Sequence, residues 1–167
     1  MRRKSAFILA ALFSLNSWAD GGVSHCNDAE KTVFNCSIKG SKKVASVCEG
    51  ARLEYRFGPI GSPEFVYPSP DNKRADEENF RYSASRSHNY SENYFKLQFY
   101  NDNYSYMAYA VEMRGRLDKS LYESSIIVWK KGKVVKRFVC SNEDAGADLI
   151  GLHNTRAWKP VDLEPTN

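Results

Sequence analysis

The sequence predicts an all-β fold: an antiparallel meander forming a small sandwich or barrel, disulfide-stapled, with an irregular C-terminal tail. Three observations predict it. Apolar and polar residues alternate over short runs, with no sustained helical spacing. Gly, Pro, Asn and Asp punctuate these runs at near-regular intervals, which is the turn chemistry of hairpins. Cysteines at 26, 36, 48 and 140 form an even set in a chain that opens with an export signal, and disulfides are the ordinary use of such a set.

The signal is read from Met1 to Ala19. Arg2, Arg3 and Lys4 precede the apolar block Ala6 to Leu15, and Ser17-Trp18-Ala19 places small residues where a signal peptidase reads. A membrane span needs about 20 apolar residues and this block has roughly half that, so no anchor is expected. The expected mature chain, 20-167, is a single β-rich domain in the periplasm or outside the cell. Its charge is nearly balanced: of 24 Lys+Arg, 21 remain after Arg2, Arg3 and Lys4 are removed, against 20 Asp+Glu. Nucleic-acid binding, which requires a cationic surplus, loses its support.

The elements follow in chain order. Thr32 to Lys39 and Lys43 to Glu49 form an opening hairpin around Gly40-Ser41. A two-residue turn there makes Cys36 oppose Ala45 and sends Cys48 to the other face; a loop of odd length puts Cys36 and Cys48 on one face as diagonal neighbours. Three pairings of the four thiols stay open, and 36–48 with 26–140 is the expectation, the second bridge tying the start of the domain to its last strand. Arg52 to Phe57 alternates, with Leu53, Tyr55 and Phe57 on one side and Arg52, Glu54 and Arg56 on the other. Gly58 to Pro63 breaks the chain before an extended run from Glu64 to Tyr67. A polar, proline-containing loop from Pro68 to Asn79 follows, then a strand over Phe80 to Arg86.

Tyr94 to Tyr100 places Phe95, Leu97 and Phe99 on one face, Asn101-Asp102-Asn103 turns the chain, and Tyr104 to Met113 returns. A final hairpin joins Ser124 to Lys130 with Lys133 to Cys140 through Lys131-Gly132; there Val134, Lys136 and Phe138 are expected to share a face. Glu143 to Leu152 suits one short helix, and from about residue 153 the chain reads as a tail. Lys42-Lys43, Lys130-Lys131 and Lys136-Arg137 read as solvated turns and as edge-strand charges that discourage aggregation.

The segments FNC, KKVASVC, LEYRFG and PEFVYP, spread over residues 34 to 68, together resemble a group of small exported proteobacterial proteins of unassigned function. The build is also similar to the exported, β-rich, disulfide-stapled inhibitors of lysozyme, without the Ser-Gly loop motif of those proteins. The resemblance implies export and fold and transfers no catalytic residue.

Catalytic machinery is not legible. There is no Gly-x-Ser-x-Gly elbow, no His-Glu-x-x-His and no phosphate-cradling Gly-Lys-Ser/Thr loop. No Cys-x-x-Cys marks a metal or redox site, the three histidines at 25, 88 and 153 lie in different segments, and no cofactor is implied. Residues 79 to 109 carry the binding signal, with seven of the ten tyrosines interleaved with Ser, Asn and Arg. Tyrosine offers a large contact area with two torsions to freeze, the chemistry of paratopes. Tyr82, His88, Tyr90, Tyr94, Tyr100, Tyr104 and Tyr106 are the candidate surface, with Tyr94, Tyr100, Tyr104 and Tyr106 expected opposite Phe95, Leu97 and Phe99. Tyrosine is also a good strand former, and the alternative is that these residues cover a sheet. The function expected is a periplasmic binding protein, not an enzyme, whose protein partner is a cell-wall hydrolase or a secreted effector that it inhibits or to which it confers immunity. An envelope hydrolase and a structural accessory protein are the competing classes.

Overall fold

A computed structural model describes residues 23–70, 80–88, 91–114, 120–141 and 145–154. The signal segment, the loop 71–79, Tyr90 and the tail beyond 154 lie outside them. Nine strands occur among the described residues: β1 Lys31–Ser37, β2 Lys43–Glu49, β3 Leu53–Pro59, β4 Phe65–Tyr67, β5 Phe80–Arg86, β6 Glu92–Asn101, β7 Tyr104–Arg114, β8 Ser120–Lys130 and β9 Lys133–Val139. They form two antiparallel sheets in simple meander order, β1-β2-β3-β4 and β5-β6-β7-β8-β9, packed face to face as a sandwich. Each expected strand is present, because alternation reports directly which residues can share a half-buried surface.

The inner faces supply the core. Phe34, Ala45, Val47, Leu53 and Tyr55 from the first sheet meet Phe80, Tyr82, Phe95, Leu97, Phe99, Ala108 and Ile126 from the second. Aromatic rings dominate the contact: Tyr67 stacks on Phe99 at 4.3 Å, and Phe99 on Tyr106 at 5.0 Å with planes 6° apart. Such pairs contribute about 0.5–1.5 kcal/mol each beyond their buried area.

The outer face of the first sheet is covered too, which is why Val44, Ser46 and Cys48 are buried although they point away from the core. Residues 23–30 cross it as a strap. His25 Nε2 donates to the carbonyls of Val44 (3.2 Å) and Gly58 (3.1 Å), and the His25 N–H donates to Ser46 Oγ at 3.0 Å. Asn27 and Glu30 close a reciprocal turn, Glu30 Oε2 accepting from Asn27 N–H at 2.9 Å and the Asn27 carbonyl accepting from Glu30 N–H at 3.0 Å. Arg56 then clamps the strap. Its guanidinium donates to both Glu30 oxygens at 2.7 and 2.6 Å, to Glu54 Oε2 at 2.6 Å and to the His25 carbonyl at 2.8 Å. The fork-on-carboxylate geometry holds the Glu30 carboxyl below its ordinary pKa.

The disulfides are Cys26–Cys48 and Cys36–Cys140, not the expected 36–48 and 26–140. Register is the reason. β1 and β2 pair with Cys36 opposite Ala45 and Ser37 opposite Val44, the alignment in which Cys36 faces the core and Cys48 faces outward. Cys48 therefore takes the strap's Cys26. Cys36 takes Cys140, where the two sheets touch edge to edge through the Ile38–Cys140 bridge and the bond from Lys39 N–H to Val139 O at 2.9 Å. No cysteine is free, and two disulfides place the protein in an oxidising, extracytoplasmic environment. No helix of the described residues is long and apolar enough to cross a membrane.

The two sheets differ in length. β7 and β8 run 11 residues each and β1 to β3 run 7, a difference of roughly 14 Å at about 3.4 Å per residue. Toward the β5–β6 side of this long sheet the space is filled by a 3-10 helix, Ala147–Asn154, which overlaps the stretch expected to be helical, Glu143 to Leu152, and runs two residues past it. Leu149 and Leu152 are wholly buried, the Tyr82 hydroxyl donates to the Leu149 carbonyl at 2.8 Å, and Gly146 lies so close to β7 that a Cβ would come within 2.1 Å of the Ala110 methyl. The end beside the β6–β7 and β8–β9 turns is open.

Candidate functional site

At this end a cleft of about 450 Å³ opens between the sheets. Tyr55, Phe57 and Phe65 line it from the first sheet; Tyr104, Tyr106, Val128 and Phe138 line it from the second. Alternation within β3 sends Tyr55 and Phe57 inward, and the tight turn after Gly58 brings Phe65 back beside them. In that turn Glu64 N–H donates to Phe57 O at 2.8 Å, and Gly58, at φ 146°, leaves room that a Cβ would take from the Glu64 nitrogen. Phe57 meets Phe138 at 5.2 Å and Phe65 stacks on Tyr106 at 5.1 Å, so the walls are continuous aromatic surface. Burial raises the Tyr55 hydroxyl far above the usual phenol range and raises Tyr106 as well, so both are neutral donors at physiological pH.

The rim is cationic. Lys43 pairs with Glu64 at 2.6 Å and lies over Phe57 at 5.5 Å; Lys136 lies 5.5 Å over Phe138, and Lys130 4.9 Å over Tyr104. Lys130 and Lys133 face each other directly across the β8–β9 turn. Only one carboxylate, Glu64, lines the cleft among the described residues, and it is neutralised by Lys43.

The tyrosine-rich segment does not form one surface. Phe99 pairs with Tyr106 and Asn101 with Tyr104, so Tyr104 and Tyr106 share the inner face with Phe95, Leu97 and Phe99 and do not oppose them. Both join the cleft. Tyr94 and Tyr100 do point outward: Tyr94 hydrogen-bonds Glu92, which raises its hydroxyl pKa, and stacks near Tyr109 at 6.5 Å, while Arg81 covers Tyr100 at 5.2 Å. Tyr82 is buried and its hydroxyl is pushed up to about 12 by desolvation. His88 is exposed in the turn after β5, away from the cleft lining.

Val134 also departs from expectation. A bulge between Val128 and Trp129 pairs Lys136 with Val128 but Val134 with Trp129, so Val134 leaves the face of Lys136 and Phe138 and Val135 is the extra residue. Among the described residues one trio of potential metal donors, Cys26, Glu30 and Cys48, comes together. Its sulfurs are spent on the disulfide and its carboxylate on Arg56.

Phe57, Phe65, Val135 and Phe138 were not singled out for binding by the sequence. The one signal for them is local: Phe57 and Phe65 flank the Gly58–Pro63 break, and a sharp return brings two such rings together. In comparisons with known proteins, no family model matches the chain, and no curated protein or solved structure matches it.

Proposed function

We propose that this protein is a periplasmic binding protein that inhibits, or confers immunity to, an enzyme attacking the cell envelope, a peptidoglycan hydrolase being the leading class. The observation that carries the reading is the open aromatic cleft with a lysine rim, held between two crosslinked sheets. Apolar lining supplies the buried area of a binding site, and a few charged groups at the mouth supply orientation. A scaffold stapled at both its strap and its sheet junction loses little conformational entropy when a partner docks. Charge favours the same class of partner, because glycoside hydrolases work with paired carboxylates and a cationic rim complements their clefts.

The test is direct. The purified mature protein, titrated against muramidases and peptidoglycan amidases, is expected to inhibit at least one of them near stoichiometric concentration. Lys136→Glu, at an exposed position on the cleft rim, is expected to weaken that inhibition at least 10-fold. A protein that neither binds nor slows any of these enzymes refutes the proposal.

A further inference from the structure

β9 is the terminal strand of its sheet, and its link to the first sheet is confined to its C-terminal end. From Lys133 to Arg137 it pairs, among the described residues, with β8 alone, and all five residues are exposed, Val134 by 56% and Val135 by 51%. A strand edge of this kind is a template for a further strand. Its charges select which strand. An antiparallel second copy of β9 centred on Val135 would bring Lys133 against Arg137 at both ends of the pairing, which like-charge cross-strand pairing disfavours. The Lys130–Lys133 pair is already such a contact within one molecule, and a carboxylate placed beside it would relieve it.

The bulge adds the second element. It turns both Val135 and Lys136 toward the cleft, so the same short stretch offers a backbone edge, an apolar wall and a cation. We propose that an extended acidic segment of the partner adds to the Lys133–Arg137 edge as a sixth strand and seats one apolar side chain in the mouth of the cleft, against Phe57 and Phe138. Side chains on one face of a strand are about 6.8 Å apart. Carboxylates two residues to either side of the apolar one therefore flank the cleft on the face of Lys136 and Lys133. The inference rests on the inhibitor reading for the partner's identity, and it names the chemistry by which that partner is recognised.

Blocked seven-residue peptides with Phe, Leu or Trp at the centre, Glu two residues to either side of it and Thr at the other positions test it by calorimetry and by amide exchange on the full mature protein. Binding is expected with slowed exchange in β9. Replacing every Glu by Lys, or N-methylating the edge-facing amides, is expected to weaken it at least 10-fold, as is Val135→Glu in the protein. The idea is overturned if no acidic peptide binds below 1 mM, if acidic and basic peptides bind alike, or if N-methylation has no effect. Two crossed outcomes separate this inference from the broader reading. Peptides that bind as expected while no envelope hydrolase is inhibited sink the inhibitor reading alone. A hydrolase inhibited equally by the native protein and by a folded Val135→Glu variant sinks the edge site alone; if that variant fails to fold, the N-methyl series decides.

Discussion

Removing the two disulfides one at a time separates their contributions, because they close loops of very different length. Cys26–Cys48 spans 22 residues and Cys36–Cys140 spans 104. Loop-closure entropy then assigns about 3.4 kcal/mol to the first and about 4.8 kcal/mol to the second, a difference of about 1.4 kcal/mol. Packing losses nearly cancel in the comparison. Each bridge joins one fully buried sulfur, Cys48 or Cys36, to one half-buried partner, Cys26 or Cys140. Paired Cys→Ala variants, unfolded in urea and extrapolated linearly to water, read both terms. The Cys36→Ala/Cys140→Ala protein should be the weaker of the two, with a steeper denaturant dependence than the native protein because its unfolded chain expands further. Equal losses, or a larger loss for the 26–48 pair, would refute the loop-length argument, and peptide mapping that found 36 joined to 48 would refute the register behind it.

Three more outcomes are expected. Gly146→Ala should cost about 1–3 kcal/mol in urea unfolding, since the new methyl meets Ala110 Cβ at 2.1 Å and Ser124 Oγ at 2.8 Å in a packed layer; a neutral result would mean that the helical segment shifts without cost. Lys131→Asn should raise stability by about 1 kcal/mol. Lys131 and Gly132 hold φ of 50° and 77°, the left-handed pair of a tight hairpin that Asn tolerates and Lys does not favour, and a lowered melting temperature would contradict this. Glu30, whose pKa is held below the ordinary carboxylate value chiefly by the hydrogen bonds from Arg56, stabilises the fold above its unfolded pKa and loses that contribution as pH falls through its lower folded value. Urea midpoints between pH 7 and pH 3 should therefore fall more steeply for the native protein than for Glu30→Gln, and parallel curves would exclude the strap clamp as an acid-sensitive element.

Much of the fold was legible because a strand's two faces are written in its own residues. Leu53, Tyr55 and Phe57 face the core, and Glu54 and Arg56 face away, as their alternation requires. Turn chemistry likewise marked the reversals at Gly58–Pro63, Asn101–Asn103 and Lys131–Gly132. The candidate site was less legible. Tyr104 and Tyr106 alternate as anticipated, yet their face depends on how β7 registers with β6 across the turn, and a shift of one residue exchanges the faces.

What the chain determines locally is thus the set of strands, their turns and the even complement of thiols suited to an oxidising space. Tertiary structure decided which thiols join, that Val134 and Lys136 part company at a bulge, and that one end of the sandwich is plugged by Leu149 and Leu152 while the other stays open. The physical reason is common to all three. Each depends on register or on the difference in length between two sheets, and these are settled by contacts between residues far apart in sequence, which no local pattern records.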